Sequence, residues 1–319
     1  MINQRLRMER RTLGRPVVAI FVLAALAGCG RREYTVETAV PAAAHGDVKA
    51  QYYLGKVYAA GKGVPLNYVK AAEYFRQAAA QGLAEAQNNL GAFYADGMGV
   101  RQDYSQALKW FRMAADQGDS LAEYSVGVCY FYGQGVVTNL DEALNWYRRA
   151  AAHRCVDAQV ALGEVYLGGE GVPANYQSAR QWYEQAATQH SATALNALGF
   201  IDEHGGFGVA KNPQSAAKYY RQAAESGDEK GQMNLGRMYL TGFGVQTNLI
   251  EAYKWFYLAS KTGGDGQRRV KWRRYMDELA GKMNYHDFMG RPLTADQIQE
   301  AIRGAEAFQK AHPRSAVGG

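Results

Sequence analysis

AQNNLGAFYADGMGVRQDYSQALKWFRMAADQG, residues 86–118, contains four features that recur through the 319-residue chain in one rhythm. Its Leu90-Gly91 has counterparts at Leu54-Gly55, Val126-Gly127, Leu162-Gly163, Leu198-Gly199 and Leu235-Gly236, at spacings of 36, 36, 36, 36 and 37 residues. The pair Trp110-Phe111 returns as Tyr74-Phe75, Trp146-Tyr147, Trp182-Tyr183, Tyr219-Tyr220 and Trp255-Phe256. Gly-x-Gly-Val begins at Gly97 here and again at Gly61, Gly133, Gly169, Gly206 and Gly242, and Asp103 is matched by Asn67, Asn139, Asn175, Asn212 and Asn248. Six copies of one unit therefore occupy about residues 47–263.

Each copy reads as two helices. Around Leu54, the residues Ala50, Val57 and Tyr58 form one apolar stripe at helical spacing, helix A. A glycine such as Gly55 costs about 1 kcal/mol inside a helix, so it needs a packing reason. The small residues of each copy are expected to accept the aromatics of the next. Gly-x-Gly ends helix A by permitting positive φ, and Asn67 with its counterparts caps helix B. Helix B carries Ala71, Tyr74, Phe75, Ala78 and Ala79 on one face.

The pattern Ala-x-x-x-Leu-Gly-x-x-Tyr, Gly-x-Gly-Val, Ala-x-x-Trp-(Phe/Tyr)-x-x-Ala-Ala resembles the Sel1-like repeat, a relative of the tetratricopeptide repeat, whose own period is 34 residues. The resemblance implies an all-α fold, an α/α right-handed superhelical solenoid of six helix pairs, that holds other macromolecules. Copies depart from the pattern where Arg154 and His190 replace the closing glycine, and where the fifth copy gains one residue. Residues 264–312 read as a capping segment, with apolar Val270, Trp272, Tyr275, Met276 and Leu279, then a Thr294/Gln297 capping box before a last helix. Residues 313–319 read as a disordered tail.

At the other end, Arg5, Arg7, Arg10, Arg11 and Arg15 precede an apolar run from Val17 to Ala27. Eleven residues rise only about 16 Å as a helix, too short for a bilayer core of about 30 Å. Residues 1–28 are therefore expected to be an export signal. Leu26-Ala27-Gly28-Cys29 resembles a bacterial lipobox, which implies cleavage before Cys29 and its acylation, and Gly30 resembles the sorting residue of outer-membrane lipoproteins facing the periplasm. Residues 29–46 then comprise the lipidated cysteine and a random-coil tether spanning about 20 to 24 Å.

The whole chain carries 36 basic against 30 acidic side chains; residues 1–28 hold five of the arginines and one glutamate, leaving 31 against 29. That balance gives no electrostatic case for nucleic acid. Cys129 and Cys155 fall ten residues apart in the repeat register, about 15 Å along parallel helices, so they are expected to be buried and unpaired. No phosphate loop, nucleophile elbow or paired-cysteine metal spacing is present, so no cofactor and no metal ligand is expected. Asp202-Glu203-His204 replaces the tyrosine found at Tyr58, Tyr94, Tyr130, Tyr166 and Tyr239. Its side chains should diverge on a helix, and a solvated bulge is the expectation. The basic run Arg268, Arg269, Lys271, Arg273 and Arg274 reads as a solvated helix face paired with Asp277 and Glu278, with a polyanion site as the other reading.

A binding surface follows from helical geometry. Positions two before and two after the repeat leucine point about 160° to 200° away from the buried stripe. They hold Tyr52, Asn88, Tyr124, Val160, Asn196 and Met233, then Lys56, Ala92, Val128, Glu164, Phe200 and Arg237. If helix A lines the concave side, these residues form its floor and suit a protein or peptide partner. The competing expectation is that neighbouring A helices bury them. Two functions remain open: a lipid-anchored, non-enzymatic scaffold of the bacterial envelope, or an exported hydrolase, because some Sel1 proteins look like penicillin-binding enzymes. Those relatives are cysteine-rich in every repeat, and this chain is not.

Overall fold

The computed structural model describes residues 34–169, 171–262, 274–281 and 292–312. Among the described residues the regular elements are helices. In chain order they are α1 (Val36–Ala44), α2 (Val48–Ala60), α3 (Tyr68–Ala80), α4 (Ala84–Asp96), α5 (Tyr104–Ala115), α6 (Ser120–Tyr132), α7 (Leu140–Ala152) and α8 (Val156–Gly168). There follow α9 (Tyr176–Ala187), α10 (Ala192–His204), α11 (Pro213–Glu225), α12 (Glu229–Thr241), α13 (Leu249–Thr262) and α14 (Ala295–Ala311). Helices α2 to α13 alternate A and B through six copies, as the period requires. The chain divides into two compact units between Leu162 and Gly163, inside α8.

Local signals act where the sequence places them. The side chains of Asn67, Asp103, Asn139, Asn175, Asn212 and Asn248 each accept a hydrogen bond from a backbone N–H of the first turn of helix B. Gly61, Gly97, Gly133 and Gly242 end their A helices in the left-handed conformation. Arg154 and His190 adopt the positive φ that Gly82, Gly118 and Gly227 adopt at the end of other B helices. In the fifth copy Asn212 N–H still donates to the Asp202 carbonyl, as Asn67 N–H does to Tyr58, so the extra residue is taken up at the loop tip around Phe207.

The helical glycine does have a packing reason, but within its own copy. A Cβ on Gly91 would stand 2.7 Å from the Phe111 ring, and on Gly127 2.6 Å from that of Tyr147. Gly163, Gly199 and Gly236 face Tyr183, Tyr220 and Phe256 in the same way. The aromatic of helix B therefore lies against the glycine of the A helix in its own copy, not against the small residues of the copy before, as expected. What joins successive copies in the first unit is the second glycine of Gly-x-Gly. Gly99 sits on the Tyr68 carbonyl at the start of α3, and Gly135 on that of Tyr104 at the start of α5. Gly63 has no earlier helix B to meet, and nothing lies within 4 Å of its Cβ position.

A second seam runs through the first turn of helix A. Gln51 and Gln87 each donate from Nε2 to the carbonyl eight residues back, Ala43 and Ala79, both at 3.2 Å. Gln81 and Gln117 then donate to Gln51 and Gln87 at 2.8 Å. The third copy has Glu123 at this place, fully buried. A carboxylate cannot donate to Ala115, and Arg149 does so instead, from Nη2 at 2.8 Å. Arg149 Nε also lies 2.6 Å from Glu123, and His153 Nδ1 donates to the same carboxylate at 2.8 Å.

Two readings of the termini need correction or completion. The tether expected over 29–46 is helical from Val36 to Ala44, held by a capping box between Thr35 and Thr38. Ala39 and Ala43 are buried against Ala50 and Leu54 of α2, so α1 covers the face that the first copy would otherwise leave open. Cys29, the export signal at residues 1–28 and the tail at residues 313–319 lie outside the described residues. At the other end, Tyr275 stacks on Phe256 at 5.0 Å and Phe308 of α14 packs edge-on against Trp255 at 5.3 Å. The Thr294/Gln297 capping box forms as read. Of the basic run, Arg274 pairs with Glu278 at 3.0 Å, and the other four residues lie outside the described residues.

Cys129 and Cys155 are unpaired and buried, as expected. Burial pushes their thiols up to about 12 and about 11, so the reactive thiolate is scarce at neutral pH. Native protein at pH 8 is expected to leave both unmodified by iodoacetamide under conditions that alkylate them fully after unfolding, as read by peptide mass.

Candidate interaction surface

The A-helix positions chosen from the sequence have unequal environments. In the first unit, Tyr52 is half-buried, its ring 5.9 Å from Phe75, with Lys56 Nζ 4.6 Å from the ring centroid and Asn89 Nδ2 donating to its hydroxyl at 3.4 Å. Asn88 is 7% exposed and Tyr124 9%, the latter stacked on Tyr147 at 5.6 Å. Ala92 and Val128 are buried as well, and Val160 is half-buried. The middle of the row is thus buried, Tyr124 against Tyr147 of α7, and side chains of intermediate exposure remain at Tyr52, Lys56 and Val160.

In the second unit Asn196, Phe200, Met233, Glu164 and Arg237 are all half-buried. Asn234 Nδ2 donates to Asn196 Oδ1 at 2.9 Å, and Phe200 stacks on His204 at 4.2 Å. Asn89 and Asn234 occupy the same place in their copies, and each bonds the row residue of the copy before. Ser125 stands there in the third copy, and its hydroxyl donates back to the Leu121 carbonyl at 2.9 Å. Asn88 Oδ1 is consequently buried without a partner.

Asp202-Glu203-His204 is not a solvated bulge. The side chains diverge, as a helix demands, but Asp202 and Glu203 are buried and each meets its own arginine. Asp202 accepts from Arg180, and Glu203 accepts from Arg237 at 2.6 Å and from the Tyr220 hydroxyl at 2.9 Å. Burial raises the Glu203 carboxyl, yet the Arg237 hydrogen bond and charge, with Tyr220, bring it below its ordinary range. Burial and the Glu203 charge push the Tyr220 phenol far up. Composition could not reveal this pairing, because the partners sit 22 and 34 residues away on other helices. Arg237 is thereby committed to pairing with buried Glu203.

Asp96, at the end of α4, has both carboxylate oxygens shut off from water and without a hydrogen bond. Burial lifts it to about 6. Because the folded value lies above the unfolded one, stability is fully retained below about pH 4 and lost as pH rises through about 6. Asp96→Asn removes that buried charge but leaves an equally unpaired amide in its place, so it is expected to stabilise the first unit by only about 1 kcal/mol at pH 7.5. Urea titrations at pH 7.5 and pH 3.5 check this, with no gain expected at the lower pH.

Among the described residues no group of three or more His, Cys, Asp or Glu side chains could hold a metal ion, and no helix is long and apolar enough to cross a membrane. The Sel1 repeat profile matches residues 48–83, 84–119, 120–154, 156–191, 192–228 and 230–263, more than half of the chain. The chain belongs to the Sel1-repeat family. Its fold is similar to that of c5321, a protective antigen of uropathogenic Escherichia coli, with TM-score 0.67 and 29% identity over 86% of this chain. The match spans 64% of that longer protein. A Sel1 repeat protein from Oxalobacter formigenes matches with TM-score 0.64 and 29% identity, over 82% of this chain and 99% of its own. No curated protein matches. Sel1-repeat proteins are generally protein-interaction scaffolds.

Proposed function

We propose that this Sel1 protein is a lipid-anchored interaction scaffold of the bacterial cell envelope, held at the outer membrane by acylated Cys29 and gathering protein partners on the A-helix face from the periplasmic side. The observation that carries the partner-binding part is the end of the row at Tyr52 and Lys56. There an aromatic ring and a cation lie together at intermediate exposure, while the middle of the row is taken up by packing. The lipobox at residues 26–29 supports the anchor. The hydrolase alternative draws no support from the fold relatives or from the side-chain clusters described above.

A photocrosslinking amino acid placed at Lys56, compared with one at the exposed Met113 of α5, tests the face in living cells. Specific adducts from position 56 and background alone from position 113 are expected; the reverse would remove the A-helix face from consideration. For the anchor, metabolic labelling with an alkyne fatty acid is expected to mark the wild-type chain and to be lost in Cys29→Ser.

A further inference from the structure

Helix-B arginines in later copies reach forward to the A-helix tyrosine of the next copy. Arg112 donates to the Tyr130 hydroxyl, and Arg221 to that of Tyr239 at 2.7 Å. Arg76 and Tyr94, the same pair at the first junction, stand apart instead. They line an open cavity of about 600 Å³ with Arg101, Gln102 and Asp103. Arg76 and Arg101 are exposed, and neither has an acidic partner among the described residues. Asp103 is occupied by the N–H groups of Ser105 and Gln106.

The cavity borders an apolar edge. Gly99, just before its wall, rests on Tyr68 and Val69 at the start of α3. Val69 is 55% exposed and Leu66 56%, between the exposed cations Lys62 and Lys70. Val69 and Arg76 share one face of α3, seven residues or about 10 Å apart, with the exposed Glu73 between them. Lys62, Lys70, Arg76 and Arg101 against Glu73 and Asp103 leave this apolar edge net cationic, which matches an anionic lipid surface: hydrocarbon enters the interface and lipid phosphates meet the guanidinium groups.

The chain's entry point agrees with that occupant. Tyr34 packs in the cluster that includes Tyr58 and Tyr74, and Lys70 lies 5.1 Å over the Tyr58 ring. Tyr34 follows Cys29 by only five positions, a reach of at most about 17 Å. We propose that the loop edge of the first two copies docks on anionic phospholipid, with Leu66 and Val69 in the interface and lipid phosphates held by Arg76 and Arg101. This rests on the anchored reading above. The docked edge ends before the third copy, where Val137 is 86% exposed but is followed by the exposed acids Asp141 and Glu142.

The full chain, purified with its native terminus, is tested on vesicles containing brominated lipid after bimane labelling of Leu66→Cys, Val69→Cys or Val137→Cys. Cys129 and Cys155 stay shielded, and the mass of the Cys29 peptide reports acylation independently. Strong quenching at positions 66 and 69 on phosphatidylglycerol vesicles, little on pure phosphatidylcholine, and none at 137 is expected. Arg76→Gln and Arg101→Gln should each lower the ratio of docked to undocked chain about fivefold, taking about 1 kcal/mol per basic residue near an anionic surface. Unquenched labels at 66 and 69 overturn the proposal, and with an acylated Cys29 they leave the anchor standing. Equal quenching on both vesicles, quenching at 137, or release by inorganic phosphate also overturns it. If Cys29 proves unmodified, its own free thiol would also take the label, so the variants are remade with Cys29→Ser and read free association with the vesicles: quenching at 66 and 69 on the anionic lipid still supports the docked edge, and its absence still overturns it.

Discussion

Arg149→Met is expected to destabilise the first unit by about 3 kcal/mol, because it strands a buried carboxylate. Glu123 would keep only His153, and the Ala115 carbonyl would lose its donor. The repeat supplies its own control. Glutamine stands at the place of Glu123 in four other copies, at Gln51, Gln87, Gln159 and Gln232, and at the place of Arg149 in Gln77, Gln185 and Gln222. Glu123→Gln combined with Arg149→Gln should therefore recover most of the loss, to within about 1 kcal/mol of wild type, since a neutral donor can again reach Ala115. Denaturant midpoints of Glu123→Gln, Arg149→Gln and the double variant decide it. Additive losses would mean that Glu123 and Arg149 do not act as a unit.

Gly99→Ala should cost a similar amount, about 3 kcal/mol, for a different reason. The residue sits at φ +65°, and its Cβ would run into the backbone carbonyl of Tyr68, which cannot swing away. Gly63→Ala isolates the two contributions. That residue shares the positive φ, at +76°, but nothing lies within 4 Å of its Cβ position, so only the backbone strain of about 1 kcal/mol remains. Equal stability of the two variants would show that the junction between copies yields to a methyl group.

Much of this was readable from the sequence because it depends on neighbours in the chain. The helix stops at Gly61 and Gly97, the caps at Asn67 and Asp103, and the Thr294/Gln297 box are all set within a few residues. So was the unpaired state of Cys129 and Cys155, which follows from register alone. The differences arise where a partner comes from elsewhere. α1 belongs to no copy and contains Pro41, so periodicity gave no hint of it; its stability comes from Ala39 and Ala43 meeting α2. Asp202 and Glu203 looked solvated because the arginines that answer them are on other helices. Tyr124 is buried by stacking on Tyr147 of its own helix pair, and how far that contact closes over a side chain is not encoded in a repeat period.

The substitution at Glu123 also limits how the array can be rebuilt. Copies that share the glutamine seam are interchangeable there, and a segment from one could be spliced into another without an electrostatic mismatch. The third copy is not: α6 carries the acid and α7 carries the base that neutralises it. A recombinant that took α6 with a foreign α7 would enclose a naked charge, so crossovers between these copies should succeed only when both helices travel as a block.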